Sequence, residues 1–405
     1  MENTNRLHAV AKRTKAQLGY HGYPLTDCGN AERLVDQHGE SVRFCHAMRQ
    51  WFVWNGSRWT ADGGGAVQLA KKTVRTIRHE RNLIEKRAER DPLEWEVSRE
   101  RADALTKWAR RSESATQIAA MLRMAEADPR IAVEPQAFDN NPWVLNLANG
   151  TLELDSGRFR ENRAEELLTK IAGPEYQADA ACPRWQRFLE QVFRPHPDVI
   201  PFIQRAVGYS LTGDTREECV FVLAGTGRNG KSTFLGVLHQ LLRDYGGVAE
   251  IETFLSVRGG TLREDIADMR GRRLVSAQEP LMNGAFAESR LKWVSGGDRL
   301  RARRLYEHAI EFQPTHKLWL AVNRVPRLRS DDLAAWSRLR IVPFDVSFQH
   351  RANRDLKSEL QSELSGILQW ALRGCLLWRQ NGLGSAASVE EATQSNRMEC
   401  SHDIA

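Results

Sequence analysis

The chain has 405 residues, 41% of them hydrophobic and 27% charged, with a formal net charge of +6. These proportions suit a folded protein of two or three domains and exclude collagen-like or low-complexity chains. The positive balance leans toward a polyanionic partner. No uninterrupted apolar run is long enough to cross a bilayer, and the N-terminal segment lacks the apolar core of a secretory signal. Six cysteines (Cys28, Cys45, Cys182, Cys219, Cys375 and Cys400) show no paired spacing. That excludes a disulfide framework or zinc knuckle, and a reducing, cytoplasmic compartment is expected.

Residues 1–25 read as a basic tail. In WFVWNGSRWTADGGG, residues 51–54 form an aromatic and β-branched run, Asn55-Gly56 is a hairpin turn signal, and residues 57–60 return. The tryptophans suit either a small sheet packed by its own aromatics or a base-stacking platform. From Val67 to about Ala127 the spacing is helical and heavily charged. Lys71, Lys72, Arg75, Arg78 and Arg81 read there as a solvated helix face or as a surface for a phosphate backbone. FDNNPWVLNLANGTLELDSG predicts a second hairpin around Asn149-Gly150.

A polar stretch from Pro174 to Pro183 marks a boundary. Pro183 fits a helix start, and Trp185, Phe188, Leu189 and Val192 follow at helical spacing. A second helical segment runs to Thr212-Gly213. Residues 174–212 thus read as a helical collar after an N-terminal α/β domain at 26–173.

Residues 219–223 (CVFVL) read as a buried parallel strand. Gly225-Thr226-Gly227-Arg228-Asn229-Gly230-Lys231-Ser232 then matches G-x-x-x-x-G-K-[ST] in full, and Thr233 opens an apolar-periodic helix. The motif therefore sits between strand and helix, the context it requires. Glycines let backbone N–H groups turn inward around phosphates, and the helix N-terminus adds positive potential. Lys231 is suited to the terminal phosphates and Ser232 to the Mg²⁺ shell, so ATP and Mg²⁺ are the expected ligands. RLVSAQE, ending at Glu279, is a second apolar run closed by a carboxylate suited to metal and attacking water. LWLAVN, ending at Asn323, is a third, closed by an amide that orients water without repelling phosphates.

With these residues, TDCGNAERLVDQHG, CPRWQRFL, GYSLTG, KWVSGGDRLRARRLYEHAIEF, HKLWLAVNRVP and AWSRLRIVPF occur in order. On them the chain resembles, from about Asp27 onward, the helicase portion of the phage and plasmid primase–helicase family, within the superfamily 3 AAA+ helicases. The resemblance implies an α/β AAA+ P-loop core, a parallel sheet with flanking helices, over 213–350. It also implies the smaller N-terminal α/β domain and collar, no primase domain, and a C-terminal helical segment (351–405) shorter than in relatives. By the same resemblance Lys231 and Ser232 are Walker A residues, and Glu279 activates water and shares the metal with Ser232. Asn323 is the sensor, and Arg338 is an arginine finger for a neighbouring subunit's γ-phosphate.

Residues 298–306 interleave four arginines with apolar residues and read as a strand, with residues 309–312 as its hairpin partner. Relatives grip DNA with this region and a preceding lysine, which implies DNA contacts at Lys292, Arg301, Arg303, Arg304 and His308. Inter-subunit ion pairs, at Arg303 above all, are the alternative. Three positions depart from the family: Gln278 for a second carboxylate, Glu307-His308 where a lysine is common, and Ser337 for a frequent arginine. The implied function is an ATP-driven helicase of a phage, prophage or plasmid in a bacterial cytoplasm, a hexameric ring on single-stranded or forked DNA beside a separate primase or polymerase. An ATP-switched loading factor and a non-hydrolysing DNA-binding ring stay open.

Overall fold

The turn predicted at Asn55-Gly56 is present in the computed structural model, which describes residues 23–88, 95–256, 264–278, 285–302, 310–328, 332–349 and 353–402. Asn55 Oδ1 accepts the N–H groups of Ser57 (3.0 Å) and Arg58 (2.9 Å), and Gly56 takes a φ of +98°. The turn joins β2 (Gln50–Trp54) to β3 (Trp59–Ala61), and β1 (Val42–Cys45) completes a three-stranded antiparallel sheet. Trp59 is fully buried, and its indole N–H donates to the Ala164 carbonyl at 2.8 Å. The tryptophan therefore packs a core.

This sheet and four helices form the first of two units, the described residues through Phe138 plus Ala164–Thr169. The helices are α1 (Asp27–His38), α2 (Gly65–Ala88), α3 (Trp95–Ser112) and α4 (Ala115–Ala125). Leu34, Val35, Val74, Met121 and Leu122 make one apolar cluster, and Ile77, Ile84, Leu105 and Trp108 another. The charged stretch from 67 to 127 is thus helical, with its apolar positions turned inward.

The second unit holds Asp139–Arg163 and everything from Lys170 onward. It begins with β4 (Val144–Leu147), β5 (Gly150–Glu153) and β6 (Phe159–Arg160), a small antiparallel sheet. This partition differs from a boundary at 173. The reason is packing: Leu145, Leu147, Leu152 and Leu154 lie in the same core as Trp185, Leu189 and Trp378. The collar helices α5 (Pro183–Val192) and α6 (Val199–Leu211) share that core with the main sheet instead of standing apart.

The main strands are β7 (Val220–Ala224), β8 (Gly246–Val248) and β9 (Leu274–Gln278). The pair β10 (Leu300–Ala302) and β11 (Ile310–Phe312) follows, then β12 (Lys317–Val322) and β13 (Leu339–Pro343). Five of them form a parallel sheet in the order β13-β7-β12-β9-β8. Their apolar runs are buried on both faces, as parallel strands require. Around them lie α7 (Lys231–Leu242), α8 (Glu264–Asp268), α9 (Glu288–Ser295), α10 (Leu333–Trp336), α11 (Leu356–Ser362), α12 (Leu364–Asn381) and α13 (Ala387–His402). Helices α6 and α12 touch backbone to backbone: a Cβ on Gly208 would stand 2.1 Å from the Cys375 nitrogen. Along the β13 edge, α13 offers Thr393 Oγ1 to the Ile341 N–H (3.1 Å), which satisfies a donor that an open sheet edge exposes.

Candidate nucleotide-binding site

Strand β7 has neighbours on both sides, and its register places Ala224 beside Val322. Ala321 stands in turn beside Gln278. The loop after β7, Asn323 and Gln278 therefore meet at one level on the C-terminal edge of the sheet, the edge where parallel α/β folds take ligands. A cavity of about 220 Å³ opens there, lined by residues 227–233, Gln278, Ala321 and Asn323.

The loop has the backbone of a phosphate cradle. Gly227, Arg228 and Gly230 take φ values of +100°, +48° and +92°, and left-handed residues of this kind turn N–H groups toward a common point. Arg228 holds that conformation with a side chain, at a cost of about 1 kcal/mol. Gly225 is required for another reason: a Cβ there would lie 2.3 Å from both Asn229 Nδ2 and the Phe344 carbonyl. Asn229 donates to that carbonyl at 2.8 Å, and the Phe348 N–H donates to the Arg228 carbonyl at 2.8 Å. The loop is thus laced to the segment after β13.

Lys231, 6% exposed, opens α7. Its ammonium donates to the Gly225 carbonyl and to Asn229 Oδ1 (3.0 Å), both neutral. Among the described residues no carboxylate pairs with it. Burial lowers its pKa from the ordinary lysine value. A partly desolvated cation with neutral neighbours, facing a cavity, favours an anion. Ser232 Oγ donates to Gln278 Oε1 at 3.4 Å, and Asn323 stands half-buried at the tip of β12. Inward-turned amides, an uncompensated lysine and a hydroxyl fit a triphosphate.

The other expected residues lie elsewhere. Glu279, Arg303, Arg304 and His308 are outside the described residues. Arg338 precedes β13, and its carbonyl accepts the Val220 N–H at 2.8 Å. It therefore stands at the N-terminal edge of the sheet, roughly 15 Å from the loop by the rise of a five-residue strand. Its guanidinium pairs with the Glu218 carboxylate at 2.7 Å and reaches Ser295 Oγ at 3.5 Å. Lys292 pairs with Asp332. Of the expected hairpin, Leu300–Ala302 and Ile310–Phe312 pair antiparallel and residues 303–309 lie outside the described residues; Arg301 faces Glu311 across the pair, and Arg299 lies 3.4 Å from the same carboxylate. Glu218, Asp332 and Glu311 were not among the expected site residues. Only Asp332 carried a sequence signal, as the cap before α10, where it accepts the Ala334 N–H at 2.9 Å.

Two family matches cover much of this chain. Residues 31–194 match the family described as "D5 N terminal like", and residues 223–338 match a family of unknown function. The chain is 28% identical over 297 residues to the "Putative helicase L207/L206" of Acanthamoeba polyphaga mimivirus, covering 67% of this chain and 31% of that protein. It is 27% identical over 239 residues to the "Putative helicase 022R" of Frog virus 3 (isolate Goorha), covering 54% and 24%. The chain thus spans about a third or less of the curated relatives it matches. In fold it is similar to the apo structure of the NrS-1 C-terminal region, with a TM-score of 0.51 at 11% identity over 89% of this chain and 71% of that one. The chain is thus similar, over part of their length, to proteins named putative helicases, and its residues 31–194 match a D5 N terminal like region. No described helix is long and apolar enough to cross a membrane.

Proposed function

We propose that the chain is the motor portion of an ATP-driven DNA helicase of the superfamily 3 AAA+ type, working as a closed ring. The observation that carries this reading is the division of the sheet: the phosphate cradle sits at one edge of β7, and Arg338 sits at the other. Arg338 is too far from its own chain's cradle to serve it. A head-to-tail neighbour, repeated until it closes, brings such a residue to the next protomer's cradle. The strand bearing Asn323 lies between the cradle strand and the strand ending at Gln278, which supports the AAA+ assignment.

In this reading the loop amides and Lys231 hold the β- and γ-phosphates, and Asn323 and Glu279 orient and deprotonate the attacking water. Ser232 and Glu279 would hold Mg²⁺, which neutralises charge developing on the phosphate oxygens. Arg338 of the neighbour leaves Glu218 to stabilise the transferring phosphoryl group, an effect on the order of 10³ to 10⁵ in rate. Arg301, Arg303, Arg304, His308 and Lys292 would supply the contacts to the DNA backbone, which makes the grip salt-sensitive.

Strand displacement and ATP hydrolysis by Lys231→Ala and Glu279→Gln test the motor; both variants are expected to lose unwinding, and full unwinding by either refutes it. Mixing tests the shared site. Lys231→Ala and Arg338→Ala subunits, each inactive alone, should together recover part of the hydrolysis, because some mixed interfaces hold both intact elements. An inactive mixture refutes the placing of Arg338 in a neighbour's site.

A further inference from the structure

The N-terminal unit carries a surface that the nucleotide site leaves unexplained. Along α2 the exposed residues are Gln68, Lys71, Lys72, Arg75, Arg78, His79, Asn82 and Lys86. They recur every three or four positions and so share one face of the helix. Five are cations, and none is acidic. The helix does contain acids, but they lie at its flanks: Glu80 pairs with buried Arg33 at 3.2 Å, and Glu85 pairs with Arg81 at 2.7 Å. Among the described residues only Arg78 on the stripe has an acidic partner, Glu113 at 2.6 Å from the loop after α3. From Lys71 to Lys86 the stripe runs roughly 22 Å at 1.5 Å per residue. The remaining faces of α2 are taken by the apolar clusters of Val74, Ile77 and Ile84.

We infer that this face of α2 is a second nucleic-acid contact, gripping the phosphate backbone of a strand through Lys71, Lys72, Arg75, Arg78 and Lys86. The chemistry of the stripe selects the partner. A membrane surface requires an exposed apolar face beside the cations, and every exposed position here is polar. A phosphate backbone requires only regularly spaced positive charge without competing acids. One strand of a duplex presents a phosphate about every 3.4 Å of helix axis, and an extended single strand spaces them more widely, so the stripe is long enough for about four contacts. The contact is independent of sequence, and it is separate from the nucleotide cradle.

The test uses the full chain with a labelled thymidine 30-mer, its affinity followed across a potassium chloride series. A variant with Lys71, Lys72, Arg75 and Arg78 all changed to Gln should bind at least tenfold more weakly at 100 mM salt. The slope of log affinity against log salt should shrink by about 0.7 per lost contact, between 2 and 3 in all. A control removes the same charge from elsewhere on this unit, at the exposed residues Arg49, Arg101, Lys107 and Arg123; it should stay within twofold of the parent. Binding of a fluorescent ATP analogue should be unchanged in both, so failure of the cradle and failure of the stripe are read separately. An unaltered affinity and slope in the stripe variant, or an equal loss in the control, overturns the inference. So does polyglutamate competing as well as DNA of equal charge, which would mark the stripe as a site for acidic protein.

Discussion

Two lysines sit at opposite edges of the same sheet, each buried without an ion-paired carboxylate among the described residues, and they serve opposite ends. Lys231, 6% exposed, is held by two neutral acceptors beside a cavity of about 220 Å³. Lys317, 2% exposed, begins β12 and is sealed in. Its ammonium donates to the carbonyls of Thr212, Asp214 (3.1 Å) and Thr315 (3.2 Å) and lies 4.6 Å from the centre of the Tyr209 ring. Beside it, buried Arg273 donates to the carbonyls of Leu211 (2.6 Å) and Val144 (2.5 Å) and stacks over Tyr245. Leu211 and Thr212 close α6, so these cations complement the negative end of a helix dipole. Burial lowers the pKa of both lysines, Lys317 far more. Burial alone therefore does not mark a functional lysine. A charge beside open space is available to a ligand; a charge whose donors are all used by backbone is part of the frame.

The contrast is broken most forcefully at the sealed end. Lys317→Met nearly preserves volume but leaves main-chain carbonyls without their donor. Destabilisation of about 4 kcal/mol is expected: each buried carbonyl left without its donor costs about 1–3 kcal/mol, and ending the desolvation of the ammonium offsets part of the sum. Urea unfolding at constant m value measures it. A variant as stable as the parent would show that the carbonyls find other donors and that Lys317 holds nothing together.

The second effect is a pH dependence from the same end. His316 is buried; its Nε2–H donates to the Val294 carbonyl at 3.1 Å, and its Nδ1 has no partner among the described residues. Burial first, and the Lys317 charge second, lower its pKa from 6.5 to about 4. The folded state then binds fewer protons than the unfolded state, so its contribution is complete above about pH 6.5 and is lost as pH falls toward 4. The loss amounts to about 3 kcal/mol. His316→Phe should flatten the fall of unfolding free energy between those values. An equal slope in both proteins would assign the acid sensitivity to other groups.

At the open end the expected gain comes from a ligand. ATP at a hundredfold excess over its dissociation constant should stabilise the chain by about 2.7 kcal/mol, and Lys231→Ala should abolish that increment at the same concentration. Stabilisation that survives in the variant would place the nucleotide elsewhere.

How much of this was legible in the sequence follows from the range of each interaction. The cradle is local: eight consecutive residues set the left-handed turns, and the strand and helix flank them directly. The Asn55-Gly56 hairpin, the α2–α4 helices and the β10–β11 pairing are local too. The sealed end is not. Lys317 meets the Thr212 carbonyl 105 positions away, and Arg338 meets the Glu218 carbonyl 120 positions away. Backbone carbonyls carry no residue identity, so no motif announces that a lysine will cap a distant helix. The 139–163 hairpin was legible as a hairpin, but its unit was decided by which core took its four leucines.

The smallest effect is the one that separates the two lysines most sharply. Without added nucleotide, Lys231→Ala should shift the unfolding free energy by no more than about 0.5 kcal/mol. The substitution removes two hydrogen bonds but also ends the desolvation of an ammonium that has no counter-charge, and these terms oppose each other. Asn229 and Lys231 line the cavity, where water can replace the lost donor, unlike the carbonyls around Lys317. A large destabilisation by Lys231→Ala would mean that the cradle lysine also frames the fold, and open space beside a buried cation would then no longer distinguish a site from a strut.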